Sequence, residues 1–430
     1  LIPTYKWPSR EAEERIKGQA YWDISMQTNV EQIVEDVQEN GDKALLRYTR
    51  LFDSCTLKQE NLRVSEVEIE AAYEQVTAEF LSYLRQAKEK ISHFHYLQKP
   101  KDWFDQDKTG SCVGQIYRPL ERVGLYVPGG TASYPSTVLM TALPARVAGV
   151  PEIVMVTPPG KDGTLPVATL VAAKEAGVTE IYRVGGAQAI AALAYGTKSI
   201  PAVDKIVGPG NIFVTLAKKI VYGVVGIDLL AGPSEVLLIG DGSVRAEYAA
   251  ADLLAQAEHD QRSRAILVTN NQAWATEVRV ILEEQLLKLP RREIAEVALR
   301  EFGAVILTQS LEEAFAVANF VAPEHLELLL ADPYPYLAQV KHAGAIFLGP
   351  YTPESLGDYW AGPSHVLPTG GTARYASPLT VADFYKCSSI IGYSALGMQQ
   401  AGEPIQYLAQ VEGLTAHGQA LSIRTKEEKS

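Results

Sequence analysis

From Arg122 to Leu348 short β-rich runs alternate with helical segments at roughly 25-residue spacing, the rhythm of parallel βαβ units packed in layers. Parallel strands need crossover connections, and each crossover helix must bury one face against a sheet. The spacing predicts strands at Gly124–Val127, Glu152–Thr157, Glu180–Val184 and Asp204–Val207, joined by helices at Thr137–Ala148, Pro166–Ala176, Ala187–Tyr195 and Ile212–Tyr222. It then restarts. Strands are expected at Glu235–Ile239, Ala265–Thr269, Ala304–Leu307 and Ala343–Leu348, with helices at Val244–Glu258, Trp274–Lys288 and Glu312–Phe320. The fold class is therefore α/β with two layers of parallel sheet. Residues 27–120 read as mostly helical, and the tail from Leu379 returns to helix. The tail is too short to make a large core of its own, so it is expected to pack on something else, such as a partner subunit.

The 430 residues exceed a single domain of roughly 100 to 200, so separate cores are expected. No apolar run reaches the length of about 18 residues that a membrane helix requires. The start lacks the basic and apolar regions of a secretory signal. Cys55, Cys112 and Cys387 are too few and too far apart for a disulfide framework, which points to a reducing, cytoplasmic setting. The formal charge of −12 argues against sequence-independent nucleic-acid binding and suits a neutral or cationic small substrate. Any metal must be held by imidazole, carboxylate and amide, since no Cys-x-x-Cys pair exists.

Three strand-to-helix junctions carry glycine: Pro128-Gly129-Gly130, Gly185-Gly186-Ala187-Gln188 and Gly208-Pro209-Gly210-Asn211. Glycine lets backbone approach a ligand, and free N–H groups at a helix start favour phosphate. None is G-x-G-x-x-G, and each alone could be only a tight turn. Together they outline a nucleotide crevice with Tyr126, Gln188 and Asn211 beside the glycines.

Five of the seven histidines lie beyond residue 250. Gln256 and His259 are spaced i, i+3 at a predicted helix end, so both project from one face, as two zinc donors could. Pro323 predicts a helix start that presents Glu324 and His325, two proton acceptors of different basicity. Asp358 falls in a stretch with loop chemistry, and His365 follows closely. His417 alone reads as an ordinary surface histidine, and His93 and His95 as structural.

Taken together these segments resemble the histidinol dehydrogenase family from about Trp22 to His417. The resemblance rests on Arg122-Val123-Gly124-Leu125-Tyr126-Val127-Pro128-Gly129-Gly130, Val207-Gly208-Pro209-Gly210-Asn211 and Ala231-Gly232-Pro233-Ser234-Glu235. It continues through Gln256-Ala257-Glu258-His259-Asp260, Ala322-Pro323-Glu324-His325-Leu326 and Gly357-Asp358-Tyr359 leading to His365-Val366-Leu367-Pro368-Thr369. The resemblance implies oxidation of L-histidinol to L-histidine through L-histidinaldehyde with two NAD reduced, the final steps of histidine biosynthesis. It implies one zinc per subunit held by Gln256, His259, Asp358 and His417, with Glu324 and His325 as proton acceptors. Ser234, Glu412, His325 and the zinc ligands would contact substrate, with Ser136 and His365 near the pocket, and Tyr126, Gln188 and Asn211 would line the NAD site. It further implies a homodimer of incomplete Rossmann-like domains, one from residues 24–125 with 235–378 and one from 126–234. Arms at 1–23 and 379–430 would be exchanged, so that Glu412 and His417 serve the neighbouring subunit. The competing reading from the residues alone is a zinc hydrolase, which leaves the glycine junctions without a task; a non-catalytic nucleotide-binding module leaves the histidines without one.

Overall fold

A computed structural model describes residues 1–17, 24–129 and 133–426, so Trp22 and Gly130 lie outside the described residues. The chain divides into two compact units, Leu1–Gln98 with Leu120–Phe384, and Lys99–Pro119 with Tyr385–Ser430.

The first unit contains two parallel sheets. The larger has six strands in the order Thr4–Lys6, Ala304–Leu307, Arg264–Thr269, Glu235–Gly240, His325–Leu329, Ala345–Leu348. The smaller has five, in the order Glu180–Arg183, Glu152–Thr157, Arg122–Tyr126, Lys205–Val207, Gly226–Ile227. Central strands such as Val236-Leu237-Leu238-Ile239 are buried on both faces, which is why they read as unbroken apolar runs. Helices Ala246–Ala257 and Gln272–Leu286 cover one face of the larger sheet through Leu253, Leu254, Val278 and Leu282. Helix Leu311–Val321 covers the other through Phe315 and Val317.

Several expectations are corrected. Pro323 does not open a helix. Ala322 ends Leu311–Val321 in the left-handed region at φ 53°, and Pro323 leads into the strand His325–Leu329. The strand is buried on both faces and pairs with Glu235–Gly240 and Ala345–Leu348. A short apolar run after proline fits helix or strand equally, and the central sheet position decides it. Asp358 is not on a loop but in the short helix Glu354–Tyr359. Thr4–Lys6 forms the edge of the six-stranded sheet, Thr4 beside Val305 and Lys6 beside Leu307. Ala12 and Ile16 of the following helix Arg10–Ile16 are fully buried in the core of that sheet. The helices Ile24–Asn40 and Asp42–Phe52 place Val30, Val34, Val37 and Leu45 in the core of the five-stranded sheet, so they accompany residues 126–234 in packing.

The second unit is not all helical. Cys112–Pro119 pairs antiparallel with Trp103–Gln106 and Tyr385–Gly392. Residues such as Val113, Ile116, Ile390 and Ile391 suit a pleated surface better than a helix. Helices Ala395–Val411 and Thr415–Lys426 follow, separated by Gly413 at φ 73°. Their apolar residues are poorly covered: Tyr407, Leu408 and Val411 are more than half exposed. Among the described residues no helix is long and apolar enough to cross a membrane.

Candidate active site

One residue of the Glu235 strand holds both expected proton acceptors. The Glu235 backbone N–H donates to Glu324 Oε2 at 2.9 Å, and its carbonyl lies 3.0 Å from His325 Nδ1. A carbonyl only accepts, so Nδ1 carries the hydrogen and Nε2 keeps its lone pair. Parallel pairing of His325 with Val236 fixes this arrangement. Both side chains are buried. Burial pushes the His325 imidazole down to about 3, helped by the charges of His259 and His365, so the ring is neutral near neutral pH. Burial pushes the Glu324 carboxyl well above the usual range, with Glu235 and Asp358 adding to it and the Glu235 N–H opposing.

Glu354 is the residue that motif reading missed. Its ligand atoms, with those of His259 and Asp358, lie within 4.8 Å of one another, a group able to hold a metal ion. Glu354 and Asp358 are one helical turn apart, so both face one way. Reading that stretch as a loop hid the spacing. Glu354 Oε1 is 3.8 Å from His325 Nδ1, and its backbone N–H donates to the buried Glu327 at 2.9 Å. Gln256, fully buried in the last turn of its helix, sets its amide 2.8 Å from both Glu354 oxygens. Donation from Nε2 satisfies both groups. In the reverse orientation Oε1 faces the carboxylate, a repulsion that only a cation or proton between them relieves.

The donor set fits a divalent cation. Asp358 is pushed up to about 6 by burial, which His259 partly offsets, and Glu354 is pushed well above its usual range by burial and the charges of Asp358, Glu324 and Asp252. Among the described residues, Glu324, Glu354 and Asp358 have only histidine as cationic neighbours, at 3.6 to 3.8 Å. Imidazole with carboxylate and amide oxygens is a set zinc accepts.

His365 Nδ1 lies 3.6 Å from Asp358 Oδ1, and burial holds its imidazole down to about 4. His365, Glu324 and Ser234 line a cavity of about 160 Å³ whose other wall includes Pro128, Pro209 and Gly210. That cavity therefore joins Glu324 to two of the glycine turns. A second cavity of about 240 Å³ holds His325, Asp358 and His365. Ser136 is half-buried in the first turn of helix Pro135–Ala148.

The expected nucleotide residues share a larger cleft of about 850 Å³, lined by Tyr126, Gly129, Gly186, Gln188 and Asn211. Tyr126 Oη accepts the Gly186 N–H at 3.1 Å, and burial pushes its phenol up to about 12. Asn211 Oδ1 caps its helix, accepting from Phe213 N at 3.1 Å and Val214 N at 3.2 Å. Its Nδ2 is left to donate. Gln188 is fully buried, and both its amide atoms lack a partner within the protein. Gly208, at φ 109°, turns so closely that a Cβ would sit 2.3 Å from the Tyr126 carbonyl oxygen. Its N–H donates to Asp228 and its carbonyl accepts from Lys218, which form a buried ion pair beneath the turn.

Glu412 and His417 belong to the second unit. Glu412 is the exposed C-cap of Ala395–Val411, and His417 is exposed on the next helix. His259 is exposed as well.

Residues 18–425 match the family model described as histidinol dehydrogenase. The histidinol dehydrogenase of Heliobacterium mobile is 52% identical over 427 residues, covering 99% of this chain and 100% of that protein. That of a Synechococcus species is 54% identical over 413 residues, covering 96% and 95%. The crystal structure of histidinol dehydrogenase from Elizabethkingia anophelis is 38% identical with a TM-score of 0.95, covering 100% of this chain and 99% of that one. An acetylating aldehyde dehydrogenase from Geobacillus thermoglucosidasius, 15% identical at a TM-score of 0.50, covers 86% of this chain and 98% of its own and shares the fold alone.

Proposed function

The chain belongs to the histidinol dehydrogenase family of oxidoreductases, and from that membership and the geometry above we propose that it oxidises L-histidinol to L-histidine in two NAD-dependent steps. The observation that carries the proposal is the single residue Glu235, whose N–H and carbonyl hold Glu324 and His325 side by side, 3.7 Å apart.

In the first step the neutral His325 takes the hydroxyl proton through Nε2 while hydride leaves the carbon for the nicotinamide of NAD. The product is the aldehyde. Glu324 then removes a proton from the water that adds to it, a task suited to a carboxylate whose basicity burial has raised. The hydrated aldehyde again offers a C–H and a hydroxyl, so His325, once it has passed its first proton to solvent, can accept another while the second hydride goes to a second NAD. Each turnover thus yields two NADH.

Gln256, His259 and Asp358 would hold zinc, with Glu354 beside them. Bound there, the ion would anchor the imidazole and amine of the substrate and orient the alcohol carbon. Ser234 and His365 line the small cavity and would meet the substrate. The division of labour places the metal and acceptors on residues 235–378 and NAD on residues 126–234, at Tyr126, Gln188 and Asn211.

The site is completed by a second copy in a homodimer, Glu412 and His417 of the C-terminal arm serving the other chain. Exposure of His259 and the uncovered Tyr407, Leu408 and Val411 support this. The reading places a cytoplasmic enzyme of amino-acid biosynthesis. The test mixes the zinc-loaded protein with NAD and histidinol and follows NADH absorbance, with His259→Ala as control. NADH from the parent but not the variant supports the proposal. Substrate consumption without NADH would favour a zinc hydrolase instead.

A further inference from the structure

The 850 Å³ cleft has one wall built for anions and one that is not. Helices begin at Gly186 and after the cap Asn211, directing their positive ends toward the cleft, and Lys161 stands on the rim. Such a wall suits a pyrophosphate. Asp53, at the C-cap of helix Asp42–Phe52, also lines the cleft and brings a carboxyl where no cation pairs with it among the described residues. Its Oδ2 is buried without a hydrogen-bond partner.

The backbone fixes this carboxyl in place. Ser54, directly after it, sits at φ 54°, a conformation that non-glycine residues rarely adopt and that clusters at ligand sites. Phe52, directly before it, exposes its ring on the same cleft. A flat base against Phe52 and a sugar against Asp53 are thus one residue apart.

A dinucleotide fold usually reads the ribose 2′-hydroxyl with an acidic residue after the second strand. Here that strand, Glu152–Thr157, runs into Pro158, Pro159, Gly160 and Lys161. The next carboxylate, Asp162, is already engaged by the backbone and side chain of Thr164 at 3.1 and 2.9 Å. The usual position is therefore vacant of a free acid, and Lys161 there would by itself welcome a 2′-phosphate. Lys161 is solvent-exposed and screened, whereas Asp53 is half-buried with one oxygen fully so, and its field is the stronger.

We propose that Asp53 selects NAD over NADP, its carboxylate accepting the ribose 2′-hydroxyl and repelling a 2′-phosphate. The inference rests on the reading of this cleft as the NAD site. Burial raises the Asp53 pKa to about 6, so the group is charged at the pH of a dehydrogenase assay near 8.

The test measures kcat/KM with NAD and with NADP, and the binding of NADH and NADPH by titration, for the parent, Asp53→Asn, Asp53→Ser and Lys161→Ala. The parent should favour NAD by at least about 100-fold, and both Asp53 variants should shrink that ratio at least about tenfold while keeping the parent's melting temperature within a few degrees. Lys161→Ala should weaken both dinucleotides without bringing the ratio toward NADP. A ratio that moves less than about threefold in a folded Asp53→Asn or Asp53→Ser protein overturns the inference, as does a parent that binds the two equally. A parent that binds neither would instead remove the NAD reading on which it stands.

Discussion

Replacing Glu324 by Gln separates what the carboxylate does chemically from what it does structurally. The amide oxygen of Gln can still accept the Glu235 N–H that Glu324 holds at 2.9 Å, so the side chain should stay in place. Its buried charge disappears, which removes a desolvation penalty. Fold stability should then hold or rise slightly. A positioned general base contributes about 10²- to 10⁴-fold, which corresponds to about 2.7 to 5.5 kcal/mol of barrier. That loss should fall on oxidation of supplied L-histidinaldehyde, while the alcohol step, served by His325, changes by less than about threefold. Glu324→Ala is the companion: it leaves the Glu235 N–H buried without an acceptor and should cost about 1 to 3 kcal/mol of stability as well. Single-turnover NADH formation from the alcohol and from the aldehyde, with zinc content and melting temperature on the same samples, reads all three quantities. Unimpaired aldehyde oxidation by a zinc-loaded Glu324→Gln protein would refute the assignment.

Burial lifts the metal-free Asp358 carboxyl to about 6, so below that pH a proton must leave before a metal binds. Zinc affinity measured by dialysis should fall by at least about tenfold per pH unit below pH 6, and a pH-independent affinity would contradict this. Gly208→Ala must accept φ 109° and a contact with the Tyr126 carbonyl, so it should cost about 2 to 4 kcal/mol and weaken dinucleotide binding; an unchanged melting temperature would show the turn to be relaxed. Lys218→Met strands Asp228, both side chains being 2% exposed, and should cost about 3 to 5 kcal/mol. Adding Asp228→Asn should recover part of that, and a double variant no better than the single would count against the ion pair.

The parallel sheets were legible because strands buried on both faces leave unbroken apolar runs, as in Val236 to Ile239 and Ile153 to Val156. Periodicity failed where a run was short and ambiguous. His325–Leu329 has a carboxylate at Glu327 and a proline two residues before it, and only its place between two other strands makes it a strand. The antiparallel sheet of the second unit joins Cys112–Pro119 to Tyr385–Gly392 across more than half the chain, a pairing no local window contains. At the proposed site, motifs singled out Gln256, His259, Glu324, His325 and Asp358, yet not what holds Glu324 and His325 together. That depends on the Glu235 peptide, a backbone contribution that side-chain motifs do not record. Glu354 escaped for a different reason, since its role follows from a helical turn shared with Asp358 that the surrounding proline and glycines disguised.

Two oxidations served by one pair of acceptors beside a metal are the central proposal. The most direct measurement is the number of NADH formed per L-histidinol consumed, with limiting substrate and excess NAD, before and after removal of metal by a chelator. The ratio should be two, abolished by the chelator and restored by zinc. A ratio of one, with the aldehyde accumulating, or a ratio of two that survives complete loss of metal, would contradict it.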